Sequence, residues 1–471
     1  MVNASAGRYR PNRTPPDPGP GLRQPCSGVP IAASAKRRLS LRDVLTDGRV
    51  ALMLPLGFSS GLPFLLVFST LSTWLREAGI SLTVIGMMSW VALAYSLKFL
   101  WAPVVDRYDV PVLARLLGRR RGWMVLTQLG VAAGLIGMAS TDPQSGLPFS
   151  ILFAVLVAFA SASQDVVIDG WRIDAAATER QGMMAAALLL GYRLALITAG
   201  AGALYIAEFA NWHSAYLAMA ALMAVGLIGT LLAPRIDEGP ARERLPIAKA
   251  IIEPLADLYR RKGSMLIPIL ALIACYRIPD YASGIMANPL YIDLGFSKAD
   301  IANVSKLYGV WIGIIGAFAG GLALTRIGLW WTLLIGAVIA AGSNLMFSWL
   351  ASGHATLWGL TLAISVDNFA GGFAGSALVA YMSGLTSPGF AATQYALLSS
   401  LYALPGKLIG GASGAVVENF GYPTLFTGTA TIAIPLVVLC FIIRRDTMKS
   451  VEDKEEAAGM DSEPVGAGSR A

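Results

Sequence analysis

SASQDVVIDGWRIDAA, residues 161–176, closes an apolar run that begins near Phe149, and the placement of its charges decides what kind of chain this is. At 100° per residue, Asp165, Asp169 and Arg172 share one narrow wedge of a helix, while Asp174 points the other way. A charge inside a membrane segment costs roughly 2.5–3.5 kcal/mol on insertion scales, so such a cluster persists only where it faces protein or water and has partners. The run is therefore read as a membrane span with a functional end.

Outward from that stretch the same texture repeats. Of 471 residues 55% are hydrophobic, 14% are charged and 50 are glycine, and the mean hydropathy is +0.61. Soluble domains carry about 25% charged residues. Here, apolar runs of membrane-spanning length alternate with short polar gaps, which predicts an all-α membrane protein. Twelve transmembrane helices are expected, at 51–75, 83–103, 123–140, 149–171, 183–205 and 214–233, then 265–292, 302–325, 331–351, 356–384, 392–415 and 425–443. The longest internal polar segment divides them into two pseudo-symmetric six-helix bundles, 46–233 and 265–443, joined by a cytoplasmic linker, 234–264. Residues 1–45, rich in Pro, Arg, Gly and Ser, and residues 444–471 read as disordered cytoplasmic tails. Ahead of the first span, the basic stretch AKRRLSLRDVL either lies along the anionic membrane surface or is an ordinary positive flank.

Orientation follows from the basic residues. With the N-terminus inside, the tails and loops on that side hold 29 of the 36 Lys and Arg, and the loops opposite hold Arg76 and Lys298. Lys98, Arg193, Arg277, Lys306 and Lys407 fall within spans. Both termini are expected in the cytoplasm, and the basic balance is explained by topology, so nucleic acid is not an expected partner. Cys26, Cys275 and Cys440 are widely spaced and His213 and His354 are isolated, which argues against a disulfide framework, a metal site or a histidine catalytic centre. No Walker-type GxxxxGK[ST] loop and no Ser/His/Asp constellation stands out, so neither an ATP-driven pump nor an enzyme is expected, and no cofactor is implied.

A weak internal repeat supports the two halves. WAPVVDRYD at the end of the second span parallels GGLALTRIG at the end of the eighth, and LLLGYRLALITAGAGA parallels YALPGKLIGGASGA, setting Arg193 opposite Lys407. Two six-helix halves with a basic linker resemble the major facilitator superfamily, whose substrate site lies between the halves near the bilayer midplane. The strings FLWAPVVDRYD, GRRRGW, SASQDVVIDGWR, LLLGYRL and AATQYALLSSL, in that order, are similar to AmpG-type muropeptide permeases over residues 50–443. The resemblance implies a permease of the bacterial inner membrane that imports anhydromuropeptides for peptidoglycan recycling by proton symport. A siderophore, a peptide or a CoA ester remains an alternative anionic cargo, and the long N-terminal tail, which compact members of that family lack, leaves room for a paralogue.

The residues themselves suggest three groups. At the cytoplasmic ends of the spans, Asp106 and Arg107 are read as a gate, together with Lys98, Gln164, Asp165, Asp169 and Arg172. Lys98 either snorkels or pairs with the fourth-span carboxylates. Arg172 is either the partner of Asp169 or the charged end of the helix. Nearer the midplane, Arg193, Arg277, Lys407 and Lys306 are the cations expected to draw an anionic substrate, with Asn368, Tyr276 and Tyr281 as polar and aromatic contacts. Asp280, Asp367 and Asp165 are the candidate proton carriers, because a carboxyl whose cation is withdrawn in one conformation changes its proton affinity. The chain is expected to act as a monomer in the lipid bilayer, with a small-molecule substrate and protons as its partners.

Overall fold

The computed structural model describes residues 48–175, 178–236, 247–387 and 391–445, and every described element is helical. The expected N-terminal tail, and the C-terminal tail beyond Arg445, lie outside these ranges. Nine helices among the described residues are long and apolar enough to cross a membrane. One of them, Lys298–Ala351, is two crossings, because Gly328 at φ 80° reverses the chain within it. The second crossing, Leu82–Leu97 continuing to Ala102–Arg107, is too broken to count as one long helix. The eleventh, Ala391–Gly410, runs on into Ser413–Ala430 until Gly421 at φ 82° turns the chain into the twelfth. Twelve spans result. Both turns use a left-handed backbone conformation that an L side chain resists, which is why glycine stands there.

The first six spans pack on one another, chiefly Gly48–Leu66 against Thr178–Ile197 and Arg119–Ala139 against Pro143–Ala175. The last six do likewise around Gly309–Ala351 and Leu357–Leu385. Helical order fails where proline removes a donor. The first span bends after Pro63, between Leu66 and Ser69. The second passes through a 3-10 turn at Lys98–Leu100 just ahead of Pro103 and, with no proline near it, another at Ser89–Ala92. The seventh breaks at Arg277, between Leu266–Tyr276 and Ile278–Asp293, with Pro279 in the first turn of the second piece.

The bundles meet mainly at the end remote from the chain termini. Ser69–Glu77 packs on Ile278–Asp293, Leu82–Met88 on Ser413–Ala430, and the π-helical turn Thr198–Gly202 on its counterpart Ala302–Tyr308. The approach of the second and eleventh spans is so close that a Cβ on Gly414 would lie 1.7 Å from the Leu82 carbonyl oxygen. At the terminal end, the linker helix Ile247–Lys262 packs on the last bundle, with Leu258 buried beside Leu266, Leu385 and Ile443.

Candidate functional site

A cavity of about 670 Å³ lies between the bundles. Arg193 of the fifth span stands on one wall, exposed, and Arg277, Asp280, Asp367 and Asn368 stand on the other. Arg277 reaches the cavity because the seventh span breaks at that residue. Its guanidinium lies 2.8 Å from Asp280, a charge contact without hydrogen-bond alignment, and donates to the Gly371 carbonyl at 3.3 Å. Asp367 accepts from Ser343 Oγ at 3.2 Å, and the Asn368 amide donates to the Ile364 carbonyl at 3.1 Å. The result is a polar wall with one cation and two carboxylates, facing a cation from the other bundle. Glycines 313, 371 and 375 leave room along the lining, while Gly372 lets the eighth and tenth spans approach closely, a Cβ there falling 2.1 Å from the Gly313 carbonyl oxygen.

Above this cavity, toward the closed end, sits a smaller and mostly apolar chamber of about 180 Å³. Asp280 borders both spaces, and Tyr281 and Lys407 border the smaller one. Lys407 was expected on the substrate wall opposite Arg193. Instead its Nζ crosses to the second span and donates to Ser96 Oγ at 2.7 Å and to the Ala92 carbonyl at 3.1 Å, where the helix is already broken. Lys306 also leaves the cavity. It holds the seam between the bundles, donating to Asn288 Oδ1 at 3.0 Å and Ser69 Oγ at 3.4 Å.

Two further expectations are corrected by helix phase. Tyr276 is fully buried and donates to the Leu333 carbonyl at 2.8 Å, so it packs inside the last bundle and does not meet the cavity, although Arg277 beside it does. Gln164 is fully buried and donates to Ser59 Oγ at 2.8 Å, tying the fourth span to the first, away from the helix end. Within the first bundle, Asp165 accepts a hydrogen bond from Ser60 Oγ and lies 3.5 Å from Lys98 Nζ. It is not part of the large cavity's lining. Asp169 and Arg172 form an i,i+3 pair at 3.4 Å. Asp106 and Arg107 lie on Ala102–Arg107, but their side chains fall outside the described residues.

Sequence reasoning missed the lattice that closes the far end. Arg76 donates to Asp293 through Nε at 2.5 Å and through a terminal nitrogen at 2.8 Å, and Tyr422 donates to the same carboxylate at 2.7 Å. Lys298 reaches Glu77 at 2.6 Å and Glu208 at 3.7 Å, and the Trp212 indole also donates to Glu77, at 2.6 Å. Glu418 accepts from the Thr83 backbone at 3.1 Å and from its hydroxyl. Three of these ion pairs join the bundles. The signal was present: Arg76 and Lys298 are the two basic residues of the loops on that side.

Comparison with known proteins agrees with this architecture. Residues 53–410 match the family model described as Major Facilitator Superfamily. The chain is 36% identical over 405 residues to the anhydromuropeptide permease of Escherichia coli (strain K12), covering 85% of this chain and 81% of that one. It is 32% identical over 410 residues to a protein named putative transporter AmpG 4 of Rickettsia felis, covering 85% and 98% respectively. Among solved structures, the nucleoside transporter NupG (D323A mutant) superposes with TM-score 0.62 at 16% identity, covering 84% of this chain and all of that one. A POT family transporter in complex with 5-aminolevulinic acid gives TM-score 0.63 at 16% identity, covering 87% and 96%. These two share the fold. Two six-helix bundles around a polar central cavity, the family match and the two relatives make the chain a multi-pass membrane transporter and not an enzyme, and it belongs to the Major Facilitator Superfamily, among the AmpG-type permeases.

Proposed function

We propose that this chain imports anhydromuropeptides by proton symport across the inner membrane of a bacterium, as a monomer with both termini in the cytoplasm. The observation that carries the reading is the 670 Å³ cavity, in which Arg193 of one bundle faces Arg277, Asp280 and Asp367 of the other. Its partners in sequence support the cargo: the chain is 36% identical to a protein named anhydromuropeptide permease. A muropeptide brings stem-peptide carboxylates, amides and sugar hydroxyls, and guanidinium groups on both walls bind and orient such an anion.

With the termini inside, the lattice of Arg76, Asp293, Lys298 and Glu77 closes the periplasmic end, and the cavity faces the cytoplasm. The bundles then rock about the midplane in alternating access. Asp280 and Asp367 are the proton carriers of this reading in the cavity. When the cavity is hydrated or Arg277 is near, the charged form is favoured; when it closes and Arg277 turns to substrate, the protonated form is favoured. Asp165, held between Ser60 and Lys98, is a third carrier in the first bundle. Division of labour between the bundles, 46–233 and 265–443, follows from the same scheme.

The test is uptake of radiolabelled N-acetylglucosaminyl-anhydro-N-acetylmuramyl tripeptide by cells that lack their own permease and express this chain, with and without a protonophore. Uptake abolished by the protonophore is expected. No uptake with the protein present in the membrane would refute the cargo, and uptake that stays fully gradient-dependent in both Asp280→Asn and Asp367→Asn would refute those carriers.

A further inference from the structure

The linker helix Ile247–Lys262 has two faces with different partners. At 100° per residue, Pro254, Asp257, Leu258 and Arg261 fall on one arc of about 100°. This face is docked. Gln394, 1% exposed, donates to the Pro254 carbonyl at 2.9 Å and to Asp257 at 2.8 Å. Ser387 donates to the same carboxylate at 2.8 Å, and Arg261 contacts it at 3.1 Å while donating to the Leu385 carbonyl at 2.9 Å. Gln394 belongs to AATQYALLSSL, the last of the sequence strings noted above. Its side chain thus fastens the linker helix to the start of the eleventh span.

The other face carries Ile252, Leu255 and Tyr259 within an arc of about 60°. They are 61%, 38% and 62% exposed. Past the turn at Gly263, the start of the seventh span also presents apolar side chains, Met265 and Ile267, 40% and 76% exposed. Basic residues flank it: Arg260 and Lys262 end the helix, and Arg444 and Arg445 directly follow Ile443, which is buried in the same cluster as Leu258. A helix with an apolar stripe, cationic flanks and a position at the end of a membrane bundle matches a bilayer interface in geometry and in charge.

We propose that the linker helix lies in the headgroup region of the leaflet on the terminal side and binds anionic phospholipid through its exposed face. The apolar stripe enters the acyl boundary, and the flanking cations meet the phosphates. Because Gln394 and Arg261 fix the opposite face, the lipid surface and the base of the tenth and eleventh spans hold the helix from two sides. The proposal rests on the chain being a membrane protein and is independent of the cargo.

The test uses the full chain with Cys26→Ser, Cys275→Ala and Cys440→Ala, carrying either Ile252→Cys or Glu253→Cys labelled with an environment-sensitive fluorophore, in nanodiscs. Glu253 is exposed and lies about 100° round the helix from Ile252, toward water. The probe at Ile252→Cys is expected to be blue-shifted, quenched by shallow doxyl lipid and several-fold less accessible to iodide than the probe at Glu253→Cys. Equal iodide access at the two positions would overturn the interfacial placement. Shielding is expected to weaken when phosphatidylglycerol is replaced by phosphatidylcholine, by about fivefold in partitioning for each basic side chain engaged, and Arg260→Gln with Lys262→Gln should shrink that difference to the share of Arg444 and Arg445. Identical shielding in both lipids would overturn the assignment to anionic headgroups.

Discussion

Asp293→Asn is the sharpest test of how the far end is held shut. The Asp293 carboxylate joins the bundles by accepting two hydrogen bonds from Arg76, at 2.5 and 2.8 Å, and it also accepts one from Tyr422. Arg76 lies in the first span and Asp293 at the end of the seventh. Charge-assisted hydrogen bonds contribute roughly 1.5–3 kcal/mol each when shielded. These side chains are 26% and 24% exposed, so water screens them and the pair is worth about 1–2 kcal/mol to the closed arrangement. Losing it should raise the population open at that end by about 5–30-fold. Ser72 borders the 180 Å³ chamber just beneath the lattice and is 8% exposed, so a thiol there reports on opening. In a cysteine-free background, Ser72→Cys should react with a membrane-impermeant maleimide on intact cells about 5–30-fold faster when Asp293→Asn is added. Adding Arg76→Gln to Asp293→Asn should change little more, because the two side chains act as one pair. An unchanged rate, or additive effects, would refute the view that this pair latches the end.

Other consequences follow from the same geometry. Gly414→Ala places a carbon 1.7 Å from the Leu82 carbonyl oxygen; it should force the second and eleventh spans apart, cost about 1–3 kcal/mol of closure and raise the same Ser72→Cys labelling rate. Arg193→Ala should lower muropeptide uptake about 10–100-fold, the loss of a charged hydrogen bond to substrate, while thermal unfolding in detergent moves little because the residue is exposed on the cavity wall. Gln394→Ala should destabilise the protein by about 1–3 kcal/mol, seen as a lowered Tm, because it strips a donor from the Pro254 carbonyl and from Asp257 at a buried site.

How much was legible before the fold can be judged residue by residue. The spans expected at 149–171 and 214–233 are the helices Pro143–Ala175 and Trp212–Leu232, and the break at Arg277 was announced by Pro279. A membrane imposes both, since apolar length and backbone donors are properties of one segment at a time. Arg193, Arg277, Asp280, Asp367 and Asn368, all singled out from the sequence, line one cavity. Tyr276, read as a midplane contact, and Gln164, read as part of the gate, face elsewhere, because position along a span says nothing about how the helix is rotated against its neighbours.

Sequence by itself thus determined the class of protein and the number of crossings, because a lipid solvent tests every segment separately for length and polarity. Tertiary structure alone decided which charges meet. Arg76 finds Asp293 across 217 residues, Lys407 reaches Ser96 on the second span and not the wall opposite Arg193, and the linker helix turns Asp257 inward to Gln394 while leaving Ile252 outside. Those partnerships depend on the rotation and approach of whole helices, which are set by packing between the bundles and leave no trace in any single stretch of chain.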